Sequence, residues 1–290
     1  MKKNGIKAAL TQETPFFMIA PALIWQVLFF CVPFAIIVYL SFVKNSDGLV
    51  NPQVSLFYYL SLFDFSYMKI IARSLIFAVA NTFFCLMFAY PVAYFLARKI
   101  KRFKNVFLFF LILPFWINML VQIYAWFFIL ERNGLINTLL LKMGIIHAPL
   151  HLANNLGTVL LVMIYCYMPF MIMPLYTALE KINERLIESS YDLGANGWQT
   201  FKNITLPLSL PGIKTGCFLV FVPSFGEFVI PALMGGSKNM FVGSLISHYY
   251  LVAQDANQGA AFTCFSGAIL IGVIALGSWY FSKKINVVRG

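Results

Sequence analysis

Apolar residues in this chain do not alternate with polar ones; they come in long runs. Five stretches carry no charge at all: 14–43, 74–97, 105–130, 152–179 and 256–282. A sixth, 210–233, is interrupted by Lys214 near its start and by Glu227. About 20 consecutive apolar residues are enough to carry a helix across the roughly 30 Å hydrocarbon core of a bilayer. The pattern predicts an all-α polytopic membrane protein with six transmembrane helices, near 16–42, 74–97, 106–130, 156–179, 210–233 and 260–282. A membrane β-barrel would show shorter segments of period two. The spans form a single transmembrane domain, 16–282, preceded by a short segment 1–15 and followed by a tail 283–290.

Composition agrees: 61% of residues are hydrophobic, 17% aromatic and only 11% charged. The net charge of +11 raises the question of nucleic acid, and the positions of the charges answer it. Lys2, Lys3 and Lys7 precede the first span; Arg98, Lys99, Lys101, Arg102 and Lys104 follow the second. Lys181, Arg185, Lys202 and Lys214 lie around the fourth connection, and Lys283, Lys284 and Arg289 follow the last span. These are fifteen of the 21 basic residues, all on one predicted side, so the positive-inside rule predicts both termini in the cytoplasm. The basic excess is topology and attraction to anionic lipid, with no nucleic-acid partner. The first apolar run is too long for a signal-peptide core and is expected to remain as a span.

The longer outer connections differ in character. Residues 44–73 hold Asp47-Gly48 and Asn51-Pro52 turn signals before the aromatic patch LFYYLSLFDF, suited to a membrane interface. In ERNGLINTLLLKMGI, Leu135, Ile136, Leu139, Leu140 and Met143 recur at helical spacing after Asn133-Gly134, predicting a short surface helix. Nine of the thirteen prolines sit in or beside apolar runs, where neighbouring groups can satisfy the backbone carbonyls they free. The fifth run, with Pro211, Pro223, Pro231 and Gly226, is the one expected to line a path.

Catalytic and metal chemistry is absent from the sequence. No glycine-rich phosphate loop ending in Lys-Ser/Thr occurs, nor H-E-x-x-H, nor G-x-S-x-G, so no catalytic residue is assigned. His147 and His151 are four apart, but Pro149 spoils their helical face, and no metal site is expected. The five cysteines form no CxxC pair and lie in apolar runs, where cysteine acts as a small hydrophobe. Within the spans the one clear acid is Glu227, in VPSFGEFVIPALMGG. A charge in the bilayer costs ~2.5 kcal/mol or more unless it faces a bundle interior or an aqueous cavity. Two readings stay open: a carboxylate that meets a cation in a translocation path, or a structural acid paired with another helix. Trp116 and Tyr124 in the third run would add cation–π faces to such a path, though aromatic rings near an interface also serve as anchors.

The polar connector 180–209 is long for a link between two spans. Glu180, Glu184, Glu188 and Asp192 are spaced by four and would make an acidic stripe on one helix. Leu179, Ile182, Leu186, Ser190 and Leu193 trace a neighbouring, mostly apolar stripe. Gly194 stands where a helix ends in a left-handed residue, and Asn196 with Gln199 matches a capping box. The expected object is helix, glycine turn, short helix and a stop at Pro207, presenting one face to a partner groove.

These residues resemble a known signature. Permease subunits of bacterial binding-protein-dependent ABC importers carry E-A-A-x-x-x-G-x9-I-x-L-P between two spans, and here Glu188, Ser189, Ser190, Gly194, Ile204, Leu206 and Pro207 stand at those spacings. Both alanines are replaced by serine. YPVAYFLARK, LILPFWINMLVQIYAWFFIL and YMPFMIMPLYTALEKI are similar to permeases of spermidine/putrescine importers of the B-subunit type, and PSFGEFVIPALMGG to polyamine permeases more widely. The resemblance implies a type I importer fold in the bacterial inner membrane. It also implies a sister permease, a periplasmic polyamine-binding protein, and two copies of an ABC ATPase that carry ATP and Mg; this chain itself holds no cofactor. In that reading the connector docks in a cleft of the ATPase, and Glu227, Trp116 and Tyr124 border the substrate path. The rivals are the same machine carrying another solute, a self-sufficient secondary transporter or channel, and a structural scaffold; the connector signature is unexplained by the last two.

Overall fold

The computed structural model describes residues 20–44, 53–100, 102–236 and 239–289. The segment 1–15, the turn signals Asp47-Gly48 and Asn51-Pro52, and Lys101 and Lys238 lie outside them. The described residues are helical almost throughout. In order come α1 (Ala20–Phe42), a two-stranded antiparallel pair β1 (Val43–Lys44) and β2 (Gln53–Val54), α2 (Phe57–Ser61), α3 (Phe65–Arg98) and α4 (Lys104–Trp116). Then follow α5 (Met119–Leu130), α6 (Leu135–Lys142), α7 (Leu156–Glu180), α8 (Glu184–Asp192) and α9 (Gly197–Thr200). A wide turn, Phe201–Thr205, leads into α10 (Leu206–Phe225), followed by α11 (Val229–Met234), α12 (Val242–Leu251) and α13 (Ala256–Arg289). Among the described residues five helices are long and apolar enough to span a membrane, or six if α4 and its bent continuation count as one.

Two compact units divide the chain. The first comprises residues up to Asp64 together with Tyr249–Phe265. In it α1 buries none of its apolar window and shows Ile24, Trp25 and Phe30 outward, as a lipid-facing or partner-facing helix does. The strand pair registers Val43 opposite Val54 and Lys44 opposite Gln53. Its end is fixed by the Asn257 side-chain amide, which donates to the Val43 carbonyl, while the Tyr59 hydroxyl donates to Ser41 Oγ at 2.9 Å.

The second unit, Phe65–His248 with the residues from Ser266 on, is built on α3, α7 and α10. Lipid offers an apolar side chain as good a home as another helix does, so small residues that allow close packing decide which faces meet. On α3 that face is Ala78, Asn81, Cys85, Ala89 and Ala93, all fully buried. On α10 it is Gly212 and Gly216, a small-xxx-small pair. A Cβ on Gly212 would stand 2.5 Å from Ala178 Cβ, and one on Gly216 would stand 2.6 Å from Met171 Sδ. Inside this core Asn81 Nδ2 donates to Ser224 Oγ at 2.7 Å, tying α3 to α10. The prolines Pro91, Pro169, Pro174 and Pro211 lie within helices that continue past them.

Three expectations change. The third apolar run is not one straight span: α4 stops at Trp116, and the helix resuming at Met119 is bent by 92° from it. The fifth run ends at Phe225 and resumes as α11 after Gly226–Phe228, so Glu227 sits in a break and not in a continuous helix. Pro207 does not stop its helix. The chain stays helical from Gly197 to Phe225, because the turn Phe201–Thr205 is wound with five-residue spacing. A proline ring collides with the carbonyl four residues back in a regular helix, and a widened turn just before it moves that carbonyl away.

Candidate functional site

The connector is assembled from local rules. Asn183 Oδ1 accepts from the Arg185 amide at 3.1 Å and starts α8, so Glu180 belongs to the preceding helix. The predicted acidic stripe is therefore cut: Glu184, Glu188 and Asp192 share α8, and Glu180 does not. Helix α8 ends in a Schellman motif. Gly194 N–H donates to the Tyr191 carbonyl at 2.9 Å and Ala195 N–H to the Ser190 carbonyl at 3.0 Å, with Gly194 at φ +84°. Nothing lies within 4 Å of a Cβ built on Gly194, so its requirement is conformational and not steric crowding. A capping box follows: Asn196 Oδ1 accepts from Gln199 N–H at 2.9 Å, and Gln199 Oε1 accepts from Asn196 N–H at 2.8 Å.

One buried contact folds the two arms of this turn together. The hydroxyls of Ser190 and Thr200 lie 2.8 Å apart, both out of solvent, and Ser190 Oγ also donates to the Ile187 carbonyl at 2.7 Å. Glu188 and Ser189 remain exposed, while Ile204, Leu206 and Pro207 are half-buried where the wide turn enters α10. The apolar stripe divides as well. Leu179 and Ile182 are buried in the bundle, whereas Leu186, Tyr191, Leu193 and Trp198 face outward, Leu193 at 88% and Trp198 at 70% exposure. The connector is thus firmly folded and presents an uncovered apolar and acidic surface.

The break between α4 and α5 forms the second feature. Ile117 and Asn118 are extended, and Asn118 Oδ1 accepts from the Leu120 amide at 2.8 Å, starting α5. Carbonyls released by the break are taken up by one side chain: Gln122 Nε2 donates to Pro114 O at 2.5 Å and to Ile117 O at 3.1 Å. Beside it lies a cavity of about 550 Å³ lined by Phe115, Trp116, Asn118, Gln122, Tyr167 and Phe170, among others.

Behind that cavity wall the Tyr167 hydroxyl donates to Glu227 Oε2 at 2.5 Å. The other carboxylate oxygen of Glu227 accepts from the amides of Val229 and Ile230 at 2.9 and 3.3 Å, capping α11. Glu227 is 8% exposed. Of the three residues expected along a path, Trp116 lines the cavity at 75% exposure, Glu227 reaches it through Tyr167, and Tyr124 is not in its lining. Tyr167, Gln122 and Asn118 escaped the sequence reading. The available signal for them was a polar pair, Asn118 and Gln122, inside an otherwise apolar run just after Pro114. His147 and His151, in the connection between α6 and α7, are both exposed.

Helices α3, α7 and α10 and the bent α4–α5 pair, with an exposed connector, make up a polytopic helical membrane protein. Residues 89–282 match the family of binding-protein-dependent transport system inner membrane components, and the chain belongs to that family. It is a multi-pass subunit of the bacterial inner membrane that serves transport and is not an enzyme. Over 263 residues it is 38% identical to the spermidine/putrescine transport system permease protein PotB of Salmonella typhimurium strain SL1344, a match covering 90% of this chain and 91% of that protein. The fold is shared with a chain in the crystal structure of a bacterial ABC transporter involved in the import of the acidic polysaccharide alginate. The TM-score is 0.77 at 16% identity, over 96% of this chain and 98% of that one. A chain in the bacterial alginate transporter in complex with alginate pentasaccharide-bound periplasmic protein superposes at TM-score 0.75 and 17% identity, over 96% and 97% of the two chains.

Proposed function

We propose that this chain forms half of the membrane pathway of an ATP-driven importer for polyamines such as spermidine and putrescine. A sister permease completes the pathway, two copies of a separate ATPase lie on the cytoplasmic side with the termini and the connector, and a periplasmic binding protein delivers the solute. ATP and Mg reside on the ATPase. The observation that carries the coupling half of this reading is the connector itself. It is fixed internally by the Schellman turn, the capping box and the Ser190–Thr200 contact, yet it leaves Leu186, Leu193 and Trp198 uncovered. A rigid lever with an apolar tip is what a neighbouring subunit needs to push on a membrane helix, and here its second arm, from Gly197, runs without interruption into α10.

The solute half rests on the polyamine-permease relatives and on charge. A cavity edged by Trp116 and Tyr167 offers ring faces to an ammonium group, and Glu227 supplies a negative charge one hydroxyl behind it. A single carboxylate does not neutralise a polyamine, so the sister subunit supplies the remainder. The test is Gly194→Val in the purified complex. The substitution forces a β-branched residue into a left-handed conformation and is expected to reduce ATPase co-purification and polyamine uptake about tenfold, a coupling of ordinary size. Retention of both would remove the docking role. Uptake of another solute class by the intact wild-type complex, with polyamines unable to compete, would assign the same machine a different cargo.

A further inference from the structure

The connector is held at its root by two other helices, α3 and α4, of which α4 has its far end at the cavity. Arg98, the last residue of α3, donates from Nη2 to the carbonyl of Ile182 at 2.9 Å. Lys104, the first residue of α4, forms an ion pair with Glu180, the last residue of α7, and its ammonium stands 5.3 Å from the centre of the Tyr176 ring. Residues 180–182 are therefore gripped from two sides immediately before Asn183 starts α8. The Nε of Arg98 is buried with no partner, a desolvated donor kept in place for the sake of the Ile182 contact.

The consequence is geometric. A force arriving at α8 has a covalent route into α7 and, through the Gly194 turn, into α10. Its covalent route to α4 is long and indirect, running back along α7 and through α6, α5 and their loops. Helix α4 ends at Trp116, at the break that borders the cavity. The Lys104–Glu180 pair is the contact that ties the start of α4 to the root of the connector. Resting on the reading of 184–207 as the ATPase-docking element, we propose that Lys104 and Glu180, seconded by Arg98, are positioning residues. They make α4 move with the connector, so that the break at Ile117–Asn118 opens and closes in step with the ATPase.

An exposed ion pair adds little to stability, so the readout is the number of solute molecules moved per ATP hydrolysed, measured in proteoliposomes holding the full complex. Lys104→Glu and Glu180→Lys are each expected to lower that ratio roughly two- to fivefold, the range open to an exposed pair. ATPase co-purification should stay at the wild-type level. The double swap, Lys104→Glu with Glu180→Lys, is expected to restore most of the ratio. Glu180→Gln, which removes the charge with little change of shape, is expected to behave like the single swaps and serves if either of those fails to assemble. An unchanged ratio in Glu180→Gln, or a double swap no better than the singles, overturns the proposal. The two readings fail separately. A Gly194→Val complex that keeps its ATPase and its uptake refutes docking, whereas Glu180 variants with normal docking and a normal ratio refute only the linkage to α4.

Discussion

The connector at 184–207 and the break at Ile117–Asn118 both interrupt the helical ladder and both satisfy the interrupted backbone locally, but they differ in what surrounds them. In the connector, donors and acceptors come from within a few residues: Gly194 to Tyr191, Ala195 to Ser190, Asn196 with Gln199. The outcome is a structure that stands on its own and exposes its tip. At the break, Asn118 and Gln122 supply the local bonds, but the space beside it is walled by α7 through Tyr167 and Phe170. The first keeps its own shape beyond a root anchored in the core, and can act as a lever on it. The second has a shape that depends on how α4 and α7 stand to each other, so it can change when they move.

The largest expected effect tests the frame on which both depend. Gly212→Val would place a side chain where Ala178 and the Pro174 carbonyl already lie within 2.5 to 2.7 Å of a Cβ. Overpacking of this kind costs about 1–3 kcal/mol or more, and backbone atoms are the least able to give way. Detergent-solubilised protein should lose its melting transition or its sister subunit. A variant with native melting and assembly would show that α7 and α10 are not held by this crossing, and that the connector does not work against a fixed α10.

Glu227→Gln separates the two readings of the buried acid. Glutamine keeps an oxygen for the Val229 and Ile230 amides, and its NH2 can donate to the Tyr167 hydroxyl, so the cap on α11 is expected to survive. The charge is lost. Assembly should be native while the apparent affinity for polyamine uptake falls by about an order of magnitude, in line with an ammonium that has lost one charge partner. Unchanged uptake kinetics would leave Glu227 a structural cap. Lost assembly with no intact complex would point to the same conclusion.

The same contrast explains what could be read from the sequence. Gly194, Asn196 and Gln199 were legible because turn chemistry is local: the spacing states the bonds, and the structure makes them. The stop at Pro207 was misread, since nothing in the side chains of 201–205 announces a widened turn. The 92° bend was missed because Pro114 lies inside α4 and the break falls three residues later, at a place fixed by Asn118 and Gln122. Tyr167 lines the cavity and Tyr124 does not, because which face of a helix meets a cavity depends on packing between helices, and periodicity in an almost wholly apolar run does not encode it. Gly212 and Gly216 did carry a signal at small-xxx-small spacing, which became meaningful only once α7 was seen against them.

A smaller effect is expected in the connector. Ser190→Ala removes the hydroxyl that meets Thr200 and leaves the latter's buried oxygen without that partner. The expected loss is about 1 kcal/mol, seen as faster amide exchange across residues 190–200 in hydrogen-exchange measurements on the complex. The family signature places alanine at this position, so the effect on transport should be slight. Strong loss of ATPase binding would mean that the connector draws its rigidity from this one contact and not from the capping bonds around it.

The smallest effect lies at the root of the connector and follows from charge. The Lys104 ammonium, by hydrogen bonding to Glu180, holds that carboxyl below its ordinary 4.5, and Glu180 in turn raises Lys104 above 10.5. For the acid, a lowered folded-state value means that the contribution is present above 4.5 and is lost as pH falls through the lowered value. For the base, a raised value means that the contribution is present below 10.5 and is lost as pH climbs through the raised one. The pair therefore acts across the window between them. Both side chains are partly exposed, at 30% and 43%, so salt screens them strongly. In low salt at neutral pH the wild-type complex should melt about 1–2 °C above Glu180→Gln. That gap should close as the medium is acidified well below the carboxylate range of about 4, and it should close at neutral pH in roughly 1 M salt. A gap that persists under both conditions would mean that Glu180 acts by packing against Tyr176 within α7 and not by charge, and the charge link between α4 and the connector would be lost, since the Arg98–Ile182 bond ties α3 and not α4 to it.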